Sequence, residues 1–312
     1  MEAITNRKDN RGEALTPPLS PLSIFYEKHI HWWLVGPAIA LLGFLTIYPL
    51  INIVNLSLHR YNLARSWVPR EFLGLDNFIH FFTDDLLGRS LLVTLQFGLA
   101  VVCIEMVVGF CIAWLLNYKL RGSGVFRVIY LVPMMIVPVV SGLTWRLMLN
   151  DSYGIVNWLL AHIGIEPQVW LGTEWALFSV IVAEVWHSLP FAILIFMVAL
   201  QQIPRTYYEA AALDGASSWC TFTRITLPNI SWAIILVAIF KLSDAIKAFD
   251  IIYTLTGGGP GITTQTLAVY IQHTAFTHSE LGYAAALSFL ILFISFALMY
   301  PLIKRLNIGE QQ

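Results

Sequence analysis

Long apolar segments recur along this sequence and constrain its fold more than any other feature. A helix that crosses the apolar core of a bilayer needs about 20 predominantly apolar residues. Six windows meet that requirement: residues 32–54, 90–116, 126–148, 176–200, 230–250 and 282–303. The first window is too long for the core of a signal peptide, so we expect it to remain as a helix. The sequence therefore predicts an all-α polytopic membrane protein with six transmembrane helices.

The composition agrees with this class and excludes others. Of the 312 residues, 57% are hydrophobic and 12% are charged, whereas a soluble domain has about 25% charged residues. Disordered chains combine low hydrophobicity with high net charge, but the formal net charge here is -1. That balance also provides no basic field for nucleic acid. Cys103, Cys111 and Cys220 are too few for a disulfide framework and lack metal-ligand spacing, so we expect free thiols.

Basic residues outside the windows predict the orientation of the chain. Lys and Arg are enriched in cytoplasmic loops. With the amino terminus inside, the cytoplasmic segments hold eleven basic residues and the outer segments hold four: Arg60, Arg65, Arg70 and Arg89. We therefore expect both termini in the cytoplasm, with residues 1–31 and 306–312 as cytoplasmic tails.

The predicted cytoplasmic loop 201–229 is too long for a simple turn and contains a cluster of small residues. Pro204 and Gly215 predict the start and the end of a short helix, and a second short helix is expected after it. The loop contains Glu209-Ala210-Ala211, then Gly215, then Ile225, Leu227 and Pro228. This order resembles the EAA loop of the membrane subunits of ATP-binding-cassette (ABC) importers.

Two further motifs extend the resemblance to carbohydrate-importer permeases of the maltose-permease type. Residues 72–78 read Phe-Leu-Gly-Leu-Asp-Asn-Phe before the second window, and residues 257–260 read Gly-Gly-Gly-Pro after the fifth. The similarity covers roughly residues 30–305. It implies a type I ABC importer permease fold, with 32–305 as the transmembrane domain, in the lipid of a bacterial cytoplasmic membrane.

The resemblance implies that the chain is one subunit of a larger transporter. A second homologous permease and two ABC ATPase subunits would complete it, with ATP and Mg bound by the ATPases. The implied ATPase contacts are Glu209, Ala210, Ala211 and Gly215. The implied docking residues for an extracytoplasmic solute-binding protein are Gly257, Gly258, Gly259 and Pro260. The chain has no Gly-x-x-x-x-Gly-Lys-Ser/Thr sequence for nucleotide phosphates, so no cofactor is expected on it.

A sugar site near the membrane midplane is also implied by the resemblance, between the fourth and fifth windows. Its implied residues are His187, Ser188, Phe191, Lys241, Asp244, Ala245 and Ala248. Polar side chains could bind hydroxyl groups, Phe191 could stack on a pyranose ring, and the small alanines would leave room. An oligosaccharide, a glycoside or a polyol suits this set, and an anionic sugar paired with Lys241 is a further hypothesis.

Charged residues within the windows allow more than one interpretation. A charge at the bilayer centre costs at least about 2.5 kcal/mol, so it normally faces a cavity or a partner. The fifth window carries charges of alternating sign at three-residue spacing: Lys241, Asp244, Lys247 and Asp250. Neighbours at this spacing could pair along one helix. Arg146, near the end of the third window, is expected to reach the membrane boundary.

Two alternative functions account for less of the sequence than the importer does. A proton-coupled secondary transporter would relay protons through intramembrane side chains, here Glu105, Glu184, His187 and Asp244. That function leaves the EAA loop unexplained. An intramembrane enzyme would need a nucleophile–base pair or a metal motif such as His-Glu-x-x-His, and the sequence contains none. We therefore expect no catalytic residues and no metal site.

Overall fold

The computed structural model describes residues 21–117 and 123–309. Residues 1–20 and 310–312 of the predicted tails lie outside the described residues. The chain divides into two compact units, residues 1–55 and 56–312. The α-helices, in chain order, are α1 (Pro21–Ser57), α2 (Asp76–Ile79), α3 (Asp85–Asn117), α4 (Ser123–Met135), α5 (Pro138–Met148), α6 (Ile155–His162), α7 (Ala176–Gln202), α8 (Arg205–Leu213), α9 (Ser218–Thr221), α10 (Leu227–Asn229), α11 (Ser231–Lys247), α12 (Asp250–Thr256), α13 (Leu267–Gln272) and α14 (Leu281–Gly309).

Within residues 21–117 and 123–309, four helices are long and apolar enough to cross a membrane: Val35–Ser57 within α1, α3, α7, and Leu281–Leu306 within α14. Two bent pairs raise the number to six if each pair is one span. The first pair is α4 with α5, and the second is Ser218–Asn229 with α11. A mostly helical multi-pass membrane protein is therefore confirmed, and two of the six predicted spans are bent pairs in the part of the chain that the structure describes.

The third predicted window, 126–148, is broken rather than continuous. Helices α4 and α5 meet at an angle of 99°. Val137, between them, is extended with φ -61° and ψ 133°, and Pro138 begins α5. Proline has no N–H to donate and disfavours a helical conformation in the preceding residue, which accounts for the break at this point.

The fifth window and the amino-terminal tail also differ from the prediction. Helix α11 ends at Lys247, Ala248 has an extended ψ of 122°, and α12 begins at Asp250. The charged end of window 230–250 is thus a break between two helices. Helix α1 begins at Pro21, so residues 21–31 of the predicted tail are helical. Helix α14 likewise extends into the predicted carboxyl-terminal tail.

A short hairpin interrupts the helical architecture. Strands β1 (His59–Arg60) and β2 (Glu71–Phe72) pair antiparallel, with His59 opposite Phe72 and Arg60 opposite Glu71. Among the described residues, the predicted all-α fold is accurate apart from these two strands. Asn77, from the motif at 72–78, fixes the hairpin, because its amide donates to the carbonyl of Ser57 (2.8 Å) and to that of His59 (3.2 Å).

Helix α7 packs mainly on α3 and also contacts α4, α5, α11 and α12. Helix α3 runs along α7, α11 packs on α3 and α14, and α12 packs on α5. The α3–α7 approach is close because a Cβ on Gly109 would lie 3.0 Å from that of Ala192. Phe97 of α3 and Ile251 of α12 lie in one buried cluster, and Phe196 of α7 lies in another. This packing holds α7 and α11 on either side of a polar cavity.

Candidate functional site

A cavity of about 480 Å³ lies beside α7 and α11, where α11 ends and the chain turns into α12. Its volume falls in the range of small-molecule sites, about 300–1,000 Å³. Helix α7 lines it with residues three and four positions apart, which share one helix face: Glu184, His187, Ser188 and Phe191. The remaining lining residues are Met134, Pro138, Lys241, Asp244, Lys247, Ala248, Phe249, Asp250 and Ile251.

Most of the predicted sugar-site residues are brought together in this cavity. Those that line it are His187, Ser188, Phe191, Lys241, Asp244 and Ala248. Ala245 does not line it: its side chain is 3% exposed, and its Cβ lies 3.6 Å from where Gly98 of α3 would carry a Cβ. Ala245 lies one helical turn after Lys241, on the face of α11 that packs on α3. Its short side chain ends in that contact with α3 and does not reach the cavity.

Lys241 makes an ion pair that its own helix does not supply. Its Nζ lies 3.4 Å from Oε2 of Glu105 in α3, and it donates to the Ser188 carbonyl at 2.6 Å. The Lys241 side chain is 4% exposed and that of Glu105 is 0% exposed. The Ser188 hydroxyl contacts the other Glu105 carboxylate oxygen. Lys241 is therefore already buried and paired, which disfavours the hypothesis that it pairs with an anionic sugar.

The other charges of the fifth window face the cavity instead of pairing along the helix. Asp244, Lys247 and Asp250 are exposed and line it. In residues 21–117 and 123–309, no side-chain ion pair joins them to one another. The predicted pairing at three-residue spacing is therefore not found there. The break after Lys247 explains part of this, because Asp250 belongs to a separate helix. Over the same ranges, no three His, Cys, Asp or Glu side chains converge as metal ligands would.

Helix α5 supplies contacts at the edge of the cavity. The Ser141 hydroxyl lies 3.3 Å from Nδ1 of His187, which is half-buried. Arg146 is exposed near the end of α5, and its guanidinium donates to the carbonyl of Thr254 at 3.4 Å.

The Phe191 ring of α7 contacts two residues of α11. It packs edge-on against the Phe240 ring at 5.5 Å between centroids, and the Lys241 ammonium lies 5.2 Å from the Phe191 ring centroid.

The loop at residues 201–229 contains a short helix, α8, with an exposed outer side. Pro204 precedes α8, and Gly215 follows it with φ +69°, a left-handed conformation that favours glycine at a helix end. Of the predicted ATPase contacts, Glu209, Ala210 and Gly215 are exposed, whereas Ala211 is 7% exposed. The side chain of Leu213 is 90% exposed.

The glycine-rich segment after α12 is held by a threonine. The chain leaves α12 through Gly257 (φ +64°) and Gly258 (φ +90°). The Thr264 hydroxyl bonds the Thr256 hydroxyl at 2.7 Å and donates to the Gly259 carbonyl at 3.0 Å. Among the predicted docking residues, Gly258 is buried, Gly257 and Gly259 are half-buried, and Pro260 is exposed. The helix break itself was predictable from the glycines and the proline.

Asp84 forms a polar cluster that sequence reasoning missed. Its Oδ2 accepts hydrogen bonds of 2.6 Å from the hydroxyls of Tyr270 and Tyr283, and its Oδ1 accepts from the amides of Leu86 and Leu87. Burial favours the neutral acid, but these hydrogen bonds outweigh it and hold the pKa of Asp84 below its ordinary value. An aspartate before an apolar helix is a capping signal. The distant tyrosines have no local signal in the sequence.

Four charged residues at the cavity are not among the predicted sugar-site residues, although the sequence marks them as charges within apolar windows. Glu184, Lys247 and Asp250 line the cavity, and Glu105 lies directly behind Lys241. The position of Glu184, three residues before His187, was a usable signal, since that spacing shares a helix face. The partner of Lys241 lies on another helix, so nothing in the sequence around Lys241 indicated it.

Comparison with known proteins identifies the family. The family described as "Binding-protein-dependent transport system inner membrane component" matches residues 105–307. The chain is 37% identical over 285 residues to the trehalose/maltose transport system permease protein MalF of Thermococcus litoralis, covering 90% of this chain and 95% of that one. It is 33% identical over 263 residues to the sulfoquinovosyl glycerol transport system permease protein SmoG of Agrobacterium fabrum, covering 84% and 85%.

A solved structure shares the fold. It is a bacterial ABC transporter involved in the import of the acidic polysaccharide alginate, and the matched chain has a TM-score of 0.76 at 20% identity. The match covers 91% of this chain and 98% of that one. The family match and the identities to these relatives show that the chain belongs to the binding-protein-dependent transport system inner membrane components, as a carbohydrate-type ABC transporter permease.

Proposed function

We propose that this chain is the permease subunit of an ATP-driven, binding-protein-dependent importer that translocates a sugar or sugar derivative by alternating access. The observation that carries the proposal is a connection: residues 203–230 join α7, which ends at Gln202, to α11, which begins at Ser231. These two helices line the cavity. Two residues separate α7 from α8, and residues 214–230, which include α9 and α10, connect α8 to α11, so a displacement of α8 is linked through the chain to both helices.

The cargo is proposed from the relatives and from the cavity chemistry. The relatives are named for the transport of trehalose and maltose and of sulfoquinovosyl glycerol. The cavity offers carboxylates and an imidazole, which can hydrogen-bond hydroxyl groups, beside the aromatic rings of Phe191 and Phe249. Small-ligand sites commonly combine apolar walls with a few polar groups in this way. An oligosaccharide, a glycoside or a polyol would use such groups.

The proposed energy source is a separate pair of ABC ATPase subunits that bind ATP and Mg. The exposed apolar side chains of α8 support a docking site for these ATPases on this helix, because exposed apolar patches mark protein–protein interaction surfaces. Leu213 is exposed beside Gly215, and Tyr207 on the same helix is 50% exposed. Small residues at Ala210 and Gly215 allow a partner to approach the backbone closely. A second homologous permease would complete the membrane part of the transporter.

The proposed orientation places both termini and α8 in the cytoplasm. The segment from Gly257 to Pro260 then faces outward, where a solute-binding protein would dock and release its sugar. Binding of ATP would close the ATPase pair, shift α8, and open the cavity toward the binding protein. Hydrolysis would return the cavity to the inward-open state and release the sugar into the cytoplasm.

Purification of this chain from its native membrane in mild detergent, followed by mass spectrometry and an ATPase assay, tests the proposal. We expect an ABC ATPase and a second permease at stoichiometric amounts, with ATP hydrolysis stimulated by a solute-binding protein. Recovery of the chain alone in several mild detergents, together with ATP-independent and pH-dependent uptake in liposomes, would overturn it in favour of proton-coupled transport.

A further inference from the structure

The charges that line the cavity are unequal in sign. The carboxylates are those of Glu184, Asp244 and Asp250, and the ammonium groups are those of Lys241 and Lys247. His187 adds an imidazole that is neutral in its ordinary state. The lining is therefore richer in acidic than in basic groups even before the environment of each lysine is considered.

Lys241 has little positive charge to offer a ligand. Its ammonium donates to the Ser188 carbonyl at 2.6 Å and lies 3.4 Å from the Glu105 carboxylate. The face of the Phe191 ring lies on another side of the same ammonium, at 5.2 Å from the ring centroid. An ammonium has three donors, and its surroundings here are a carbonyl, a carboxylate and an aromatic face. Only 4% of the Lys241 side chain is exposed, and the Glu105 carboxylate of α3 neutralises its charge on the side away from the cavity.

Lys247 is then the other ammonium among the described lining residues, and it shares the cavity with the exposed carboxylates of Asp244 and Asp250. A cleft lined mainly by one sign of charge concentrates its field on whatever enters it. Juxtaposition of like charges is a strong means of rejecting a wrong ligand. A carboxylate, phosphate or sulfonate on a sugar would enter a field of its own sign.

We propose that the cavity between α7 and α11 selects saccharides that bear no negative charge, because Glu105 neutralises Lys241 and leaves Asp244 and Asp250 in excess over Lys247. This inference rests on the proposed function, since it concerns the sugar that the importer carries. Hydroxyl groups donate to carboxylates in charge-assisted hydrogen bonds, so the same acidic groups favour an uncharged polyol surface. Glu105 acts as a positioning residue that sets the charge of the site without touching the sugar.

The test compares a matched pair of cargoes in the complete transporter. Proteoliposomes contain both permeases, the ATPase pair and the binding protein. The probes are the neutral saccharide that shows the highest uptake in a panel of maltose, trehalose, sucrose and cellobiose, and its uronate, in which one hydroxymethyl group is replaced by a carboxylate. The affinity of the isolated binding protein for each probe is measured separately, so that its own selectivity can be divided out.

We expect the uronate to be transported about tenfold less efficiently than the binding-protein affinities account for, which corresponds to about 1.4 kcal/mol. Asp244→Asn and Asp250→Asn should each narrow that ratio several-fold, because each removes one negative charge from the cavity. Glu105→Gln should narrow it as well by releasing the Lys241 charge. Should Glu105→Gln fail to assemble, the two aspartate variants still decide the matter. Glu166→Gln is the matched control, because it removes one carboxylate charge from an exposed loop outside the cavity.

Equal transport of the two probes by the unsubstituted protein would overturn the inference and leave the importer function standing. So would a ratio that both aspartate variants leave unchanged. A complete transporter that hydrolyses ATP but moves no saccharide of the panel would contradict the proposed sugar function and this inference together.

Discussion

At the scale of single residues, two polar clusters hold charged side chains against neighbouring helices. The pair of Lys241 and Glu105 lies behind the cavity, and Asp84 lies at the start of α3 with its two tyrosines. Neither cluster could be predicted as a unit, because each joins residues that are distant in the sequence. The residue types themselves were predictable as candidates, since a charge in an apolar window requires a partner or a cavity.

Replacement of Lys241 by methionine should destabilise the protein because Glu105 would remain buried without its counter-charge. Breaking a buried pair in this way costs about 3–5 kcal/mol, whereas replacing both partners by apolar residues is often neutral. We expect Lys241→Met to lower the thermal unfolding midpoint in detergent and Glu105→Leu/Lys241→Met to recover most of the loss. Losses that simply add in the double variant would show that the two side chains are not coupled.

Asp84→Asn should weaken the junction of α3 with α13 and α14. Two tyrosine hydroxyls donate to the Asp84 carboxylate, and a hydrogen bond to a charged group contributes about 1.5–3 kcal/mol. Because the pKa of Asp84 is held below its ordinary value, its contribution is complete above that ordinary value and is lost only as the pH falls through the lower, folded-state pKa. The loss of thermal stability in Asp84→Asn should therefore be the same at pH 6 and at pH 8.

The neighbouring exposed aspartate provides the control for this measurement. Asp85→Asn removes the same charge from the first turn of α3 without touching the tyrosines. Its effect should be limited to the helix-dipole contribution of about 0.3–1 kcal/mol. Equal losses in the two variants would show that the tyrosine hydrogen bonds add nothing.

At the scale of elements, hydropathy predicted where the chain is apolar but not where its helices break. The windows at 90–116 and 176–200 correspond to the long helices α3 and α7. Pro133 lies inside α4 and Pro190 inside α7, yet the chain bends sharply at Pro138. A proline is therefore an ambiguous signal, because tertiary packing decides whether the freed carbonyl finds another partner.

The contact between α5 and α12 should not tolerate a side chain at Gly142. A Cβ there would overlap the hydroxyl of Thr254 and would lie 3.2 Å from the Ile251 carbonyl. We expect Gly142→Ala to destabilise the protein by about 1–3 kcal/mol, measured as a fall in the thermal midpoint. Thr254→Ala in the same chain should restore part of it. Gly88→Ala is the control, because no atom lies within 4 Å of its added Cβ, and it should be neutral or slightly stabilising.

The proposed coupling role of α8 predicts that a charged side chain at Gly215 blocks transport. A Cβ on Gly215 meets no atom of this chain within 4 Å, so the effect would arise at the surface that α8 offers to a partner. We expect Gly215→Asp to abolish sugar uptake while insertion into the membrane stays normal. Wild-type uptake in this variant would refute the assignment of α8 as the coupling helix.

Gly164→Asp separates coupling from backbone strain. Gly164 also has a positive φ, +79°, and open space around its Cβ position. It follows α6, away from α8. The two variants therefore share the strain of an aspartate in a left-handed conformation. Uptake should survive in Gly164→Asp, whereas equal loss in both variants would assign the defect to strain alone.

At the scale of the whole molecule, the family could be recognised from short motifs, but the site could be recognised only in outline. The order from Glu209 to Pro228 and the glycines at 257–259 were enough for the family. The face of α7 that lines the cavity followed from helical spacing. The pairing of Lys241 with Glu105 and the inward turn of Ala245 depend on how α3 packs against α11, which no local pattern encodes.

In the proposed function, partner ATPase subunits bind and hydrolyse ATP, and this hydrolysis drives sugar through the permease. The most direct test is uptake of a labelled neutral saccharide into proteoliposomes that contain the purified complex, with ATP or a pH gradient as the sole energy source. We predict accumulation only when ATP and the solute-binding protein are both present. Accumulation driven by the pH gradient without ATP would contradict the claim and indicate a proton-coupled transporter.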